Sequence, residues 1–217
     1  MHLHHLTLAL MTTSQPVPTP QGFSPLAADR MPMMAQEAMS GAQRAAADAL
    51  IAGPRKAVFG PFIALLRSPE LMGRIGKVGE YLRFESLLEE RIRELVTCFT
   101  ARHVSNQFEW LMHAPLALKA GVAQTTLDAI AAGKRPQGLP VDEAAVLDFS
   151  AELLQHHGVS DATYQETMAL LGEQGVVELS SLIGYFVMVC WVMNVSRTPA
   201  LPVQAPGGCA ALAAFPG

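Results

Sequence analysis

The chain has 217 residues, half of them hydrophobic, which is enough to close one core and short for two independent domains. Only 16% of the residues are charged and the net charge is -4, so there is no basic field to hold a nucleic-acid backbone and no polybasic patch for a membrane surface. That low charge, with 11 methionines, points to apolar helical surface covered by another subunit, and a homo-oligomer is expected.

Residues 1–30 are rich in Pro, Ser, Thr and Gln and read as a disordered N-terminal arm. Its apolar run from Leu3 to Met11 is short, follows histidines rather than Lys or Arg, and reads as a tail and not a signal peptide. His2, His4 and His5 could bind a metal adventitiously, but a plain tail is the simpler reading. A single helical domain is expected over residues 31–198. Its first helix spans Pro32 to Ala52 and stops at Gly53-Pro54, and Gly60-Pro61-Phe62 marks a turn. Ser68-Pro69-Glu70 starts a helix to about Tyr81, and another begins near Ser86 and runs through Arg102, with Ile92, Leu95, Val96 and Phe99 as its buried stripe. Asn106 starts the next, which stops at Gly121, and Thr125 to Ala132 forms one more. The loop from Gly133 to Pro140 separates two helical halves. Asp142 then caps a helix through Leu154, Ser160 caps one through Leu171, and Glu173 to Val195 makes a long apolar one. Residues 199–217 return to Pro, Gly and Ala and read as a loose tail, or an arm docking on a neighbour.

No segment alternates with period two long enough to be a strand, so the fold class is all-α. The longest apolar run, Leu182 to Val195, falls short of the ~20 residues a bilayer span needs. It reads as a buried core or interface helix. Cys98, Cys190 and Cys209 are too few and scattered for a disulfide framework, and no CxxC or Cys/His metal spacing occurs, so a reducing cytoplasm fits best and no metal is expected.

One stretch, Glu94 to Gly121, carries the chemistry. Glu94, Cys98 and Arg102 step by four along one helix, and Asn106, Glu109 and His113 step by three and four along the next. Packed as an antiparallel hairpin, the two columns can line one cavity holding an acid/base set. Each residue also has a plain reading. Glu94 can pair with Arg91 or Arg102 on a solvated face, and His113 can donate to a backbone carbonyl that Pro115 cannot serve. Glu109 beside Trp110 can meet an arginine of another subunit, and Cys98 can be a small buried hydrophobe. Arg102 can bind a carboxylate or hold Glu94 or Glu109 as a structural fork.

From about Gly53 to Asn194 the chain resembles the carboxymuconolactone decarboxylase family, which includes the AhpD-like proteins. The resemblance rests on Gly60-Pro61-Phe62, the run from Leu66 to Leu71, Tyr81-Leu82-Arg83-Phe84, Arg93-Glu94-Leu95, Phe108-Glu109-Trp110 with His113, Ala120-Gly121-Val122, Val177-Glu178-Leu179 and Gly184-Tyr185-Phe186. It implies an all-helical AhpD-like domain in a homo-oligomer, trimer or hexamer. The peroxidase branch uses a CxxC pair upstream of a histidine; here the histidine falls at His113, an upstream glutamate at Glu94, and the cysteine positions at Asn106 and Glu109. Without that dithiol, peroxide reduction of this type lacks its nucleophile and its resolving partner. The decarboxylase branch has a Glu-Trp-x-x-His pattern like the one here, which implies loss of CO2 from a small carboxylated lactone without a cofactor. On that resemblance His113 stabilises an oxyanion or donates a proton, Glu109 or Glu94 orients it, and Arg102 or Arg83 holds the substrate carboxylate. Asn106, Trp110 and Cys98 would complete the substrate site, with Phe99, Phe108 and Trp110 as apolar walls. A single-cysteine peroxidase acting through Cys98 and a non-catalytic helical oligomer are the competing readings.

Overall fold

A computed structural model describes residues 28–200 and 210–212. The N-terminal histidines and Cys209, and almost all of the expected arm over residues 1–30, lie outside the described residues. The first long helix starts at a capping box: Ser40 Oγ accepts from the Gln43 amide at 3.2 Å, and Gln43 Oε1 accepts from the Ser40 amide at 2.8 Å. This cap fixes α1 at Gly41–Ala52, so the helix does not begin at Pro32; a short 3-10 turn, Gln36–Ala38, precedes it. Gly60 takes φ +57, where a Cβ would lie 2.7 Å from the Phe108 ring, and Pro61 opens the short α2, Pro61–Leu65, in place of the expected turn.

α3 runs Pro69–Phe84 and α4 Glu90–His103. Ser86 does not start α4, because its hydroxyl is spent on the Leu82 carbonyl at 2.9 Å, closing the end of α3. α5 is Gln107–Lys119, α6 Gln124–Ala131 and α7 Val141–His156. Pro140 holds the cap position of α7; Asp142 lies inside the first turn, where its Oδ2 accepts from Arg91 and its Oδ1 from the Glu143 amide at 2.9 Å. α8 spans Asp161–Ser196, with Ser160 as its cap and one break at Gly172 (φ 68), where the sequence separates two helices.

Among the described residues the fold is all-α, with no strand. α4 and α8 are the central elements. α4 packs on α5, α7 and α8, and α8 reaches α2, α3, α4 and α7, while α1 lies on α3. The loop after α6 therefore joins parts of one core rather than separating two halves. Leu95 and Val96 of α4 meet Leu179, Leu182 and Ile183 of α8 in that core, all at 1% exposure or less. Each such side chain contributes about 1.5–3 kcal/mol by leaving water. By length and composition α8 could cross a bilayer, with a stretch of mean hydropathy 1.9, but half of that stretch is buried within the bundle, the position of a core helix.

The end of the chain differs from the expected loose tail where it is described. Gln107 grips Leu212 through both amide atoms, at 2.8 and 2.9 Å, and Trp110 Nε1 donates to the Ala210 carbonyl at 2.8 Å. Leu212 itself is 3% exposed, packed into the same chain's core.

Candidate functional site

α4 and α5 form a helical hairpin with the most extensive contact in the bundle, and its turn is fixed by Asn106. Asn106 Oδ1 accepts from the Glu109 amide at 2.8 Å, while Nδ2 donates to the Cys190 carbonyl at 3.3 Å and to Asn194 Oδ1 at 2.9 Å. Its side chain is therefore consumed as a helix cap and a tie to α8. With the turn set, Glu94 of α4 lies opposite His113 of α5. Glu94 Oε2 and His113 Nδ1 are 2.5 Å apart, and His113 Nε2 is 3.1 Å from Glu109 Oε2, one helical turn earlier.

All three side chains are buried, with residue exposures of 8% for Glu94, 5% for Glu109 and 2% for His113. A neutral imidazole has one N–H and would satisfy one carboxylate only; the imidazolium donates to both. Burial, the largest single influence on His113, pulls its pKa down, but the charge of Glu94 and the hydrogen bonds from Glu109 and Glu94 carry it above the ordinary histidine value. For Glu94 burial pushes upward most strongly, and the charge and hydrogen bond of His113, aided by Arg83 and Arg93, hold it below the ordinary carboxylate value. The backbone carbonyl freed by Pro115 is not His113's partner, because both ring nitrogens face carboxylates. Both ring nitrogens of His113 are engaged by carboxylates, and among the described residues no group of three or more His, Cys, Asp or Glu is placed to hold a metal.

His113 and Glu109 reach an internal cavity of about 50 Å³, walled by Phe59, Phe62, Phe108 and Phe186 and lined also by Arg55, Arg83, Met112 and Tyr185. The edge of His113 meets Phe186 in a T-shaped contact at 5.2 Å. Glu94 does not line the cavity; it backs His113 from the far side.

Several residues expected at the site lie elsewhere. A step of four residues rotates about 40° around a helix, so Glu94, Cys98 and Arg102 diverge. Cys98 is wholly buried in the core. Arg102 turns to α6, where Nε donates to the Ala131 carbonyl at 2.9 Å, and it holds neither Glu94 nor Glu109. Trp110 and Phe99 do not wall the cavity, Trp110 being spent on the C-terminal segment. Arg83 and Phe108 do line it.

Two polar lining residues were missed by spacing. Arg55 sits just after α1, and its Nη2 donates to the Tyr185 hydroxyl of α8 at 3.3 Å, across 130 positions of sequence. Tyr185 falls within the Gly184-Tyr185-Phe186 signal, which marked it, but nothing in Gly53-Pro54-Arg55 distinguishes Arg55 from a turn residue. Burial raises the Tyr185 pKa, against Arg55, and burial lowers that of Arg55.

No protein-family model matches the chain, and no curated protein matches it in sequence. Solved structures do match in fold. An uncharacterized peroxidase-related protein from Ralstonia eutropha JMP134, described as an alkylhydroperoxidase AhpD core, aligns with a TM-score of 0.63 and 16% identity, covering 78% of this chain and 90% of that one. A protein of unknown function from Agrobacterium tumefaciens, described as a putative antioxidant defence protein AhpD, aligns with a TM-score of 0.57 and 17% identity, covering 64% of this chain and 96% of that one. The fold of this chain is the AhpD-like helical fold.

Proposed function

We propose that the chain is a cofactor-free acid/base enzyme, a carboxy-lyase or related lyase or isomerase, acting on a small carboxylated lactone or similar ring acid. The observation that carries this reading is an imidazole held between two buried carboxylates at the wall of a cavity. In decarboxylation the bond to the carboxylate breaks, CO2 leaves, and its electron pair moves through the ring alkene onto the lactone carbonyl. The proton comes from His113 by way of Glu109: the Nε2 proton passes to the Glu109 carboxylate, which lines the cavity, and from there to the ring carbon, leaving His113 neutral and the charge left by CO2 quenched. Glu109 holds the cavity-facing nitrogen and Glu94 the other, fixing the ring and its charge. Arg83, on the cavity wall, offers a charge to the substrate. Aromatic walls exclude water from the leaving carboxylate.

A volume of about 50 Å³ holds a carboxylate group rather than a whole ring, against roughly 300 Å³ and more for ordinary ligand pockets. Binding therefore requires outward movement of the half-buried Phe59 and Met112. The test is CO2 release across a panel of carboxylated lactones and β-keto acids, with His113→Ala as control. Release that depends on His113 supports the reading; silence across the panel withdraws it.

A peroxidase reading is supported by the descriptions of the two neighbouring structures. Against it stand the thiols. Cys98 and Cys190 are buried and neither lines the cavity, and burial pushes the Cys190 thiol well above the ordinary value, opposite to what a nucleophile needs. Peroxide consumption abolished by Cys98→Ala would reverse this preference. We also propose a homo-oligomer, trimer or hexamer. An open groove of about 740 Å³ between α3 and α8 exposes Val78, Tyr81 and Val177, a surface suited to a second copy, and sedimentation would test it.

A further inference from the structure

Two side chains that line the cavity carry hydrogen-bond donors that the protein does not use. Arg55 Nε is buried without a partner. The Tyr185 hydroxyl accepts from Arg55 Nη2 at 3.3 Å, and among the described residues no acceptor takes its own proton. Neither group is there by accident of packing. The guanidinium lies 4.5 Å over the Phe62 ring, which fixes its plane. On α3, Gly79 makes room: a Cβ there would fall 2.1 Å from the Tyr185 hydroxyl and 2.5 Å from Arg55 Nη2.

Arg55 is also unusual in its charge balance. Among the described residues no carboxylate lies within ion-pairing distance of it or of Arg83, the other guanidinium on this cavity. Glu80 and Glu109 act on Arg55 only from longer range, and Glu80 is already paired with Lys77 at 2.7 Å. A partly buried cation with no carboxylate in contact is costly, and an anion in the cavity relieves that cost.

We propose that Arg55 and Tyr185 form the anion subsite of this cavity, binding the carboxylate of a small organic monoanion. The Arg55 guanidinium and the Tyr185 O–H donate to its two oxygens, the size of the space admits one carboxylate, and His113 lines the same cavity. The inference rests on the acid/base reading of the cavity and names the group that positions the substrate, a role that the family resemblance assigned to Arg102 or Arg83.

The test is calorimetric binding of 2-furoate, a ring monocarboxylate, and of its neutral amide, to the full chain. The wild type should take 2-furoate and bind the amide about tenfold or more weakly. Arg55→Gln should lose about tenfold in furoate affinity, and the nearly isosteric Tyr185→Phe, which keeps the ring against Phe186, about three- to tenfold. An amide bound as tightly as the carboxylate, no furoate binding by the wild type, or a folded Tyr185→Phe with wild-type affinity would each overturn the subsite. Arg55-dependent furoate binding without CO2 release from any panel substrate would withdraw the decarboxylase and leave the subsite standing. CO2 release undiminished in Arg55→Gln would do the reverse.

Discussion

Two clasps in this molecule each surround a cationic side chain with carboxylates, and they differ in everything that matters for chemistry. Arg91 of α4 bridges Asp142 and Glu143 at the start of α7, with the Glu143 contact at 2.6 Å. His113 bridges Glu94 and Glu109 across the α4–α5 hairpin. Arginine keeps its proton at every accessible pH, and its clasp borders no cavity described here, so it can only hold two helices together. Histidine can give its proton up, and this one lines a cavity. A similar clasp is thus a structural tie in one place and, on the proposed reading, a proton source in the other.

The largest expected effect separates them directly. His113→Ala should lower turnover on any active substrate by about 100- to 10,000-fold, the range for losing a general acid, while Arg91→Met should leave turnover within about threefold. Steady-state kinetics on both variants decides it, and equal losses would mean that the two clasps are equivalent. Next in size is stability. Arg91 is 23% exposed and Glu143 3%, so removing Arg91 should cost about 2–3 kcal/mol, between the values for exposed and fully buried pairs, read from urea unfolding.

A third effect is in the pH dependence of stability. His113's pKa is raised on folding, so its contribution is complete below the ordinary value of 6.5 and is lost as pH rises through the folded value. Glu94's is lowered, so its contribution is complete above the ordinary 4.5 and is lost as pH falls through the folded value. The His113 clasp is therefore fully stabilising between those two ordinary values. The stability difference between wild type and His113→Asn should shrink above pH 6.5, whereas the difference for Arg91→Met should stay level from about pH 5 to 9. A flat profile for His113→Asn would show that His113 is not held as an imidazolium.

The clasps also mark how far sequence reasoning reaches. Gly and Pro punctuation and the apolar stripe of α4 located nearly every helix, since backbone freedom and apolar burial are local properties. Starts went astray where a serine had competing uses, as at Ser86, whose hydroxyl closes the preceding helix. In the site, a spacing of four placed Glu109 and His113 on one face, and the hairpin brought Glu94 to them. Arg55 and Tyr185 meet only because α1, α3 and α8 converge at Gly79, a three-body arrangement that no spacing in one segment encodes. Asn106 and Trp110 looked chemical from their neighbourhood, but a cap and a docked C-terminal segment consume them.

The smallest expected effect concerns Arg102, which the α4 column placed beside Glu94. Its guanidinium instead closes the α6 end, donating to the Ala131 carbonyl and lying 3.1 Å from where a Cβ on Gly133 would sit. Gly133 has φ +68, so this junction depends on a glycine turn that the arginine covers. Arg102→Gln should therefore cost about 1 kcal/mol of stability, the worth of one hydrogen bond, and leave turnover and furoate affinity within about twofold. The contrast with Arg55→Gln is the sharpest available, because both variants remove one guanidinium from a helix junction and only one of those junctions opens on the cavity. A tenfold loss of furoate binding in Arg102→Gln would return Arg102 to the site and dissolve the distinction between an arginine that only closes a helix junction and one that lines the cavity.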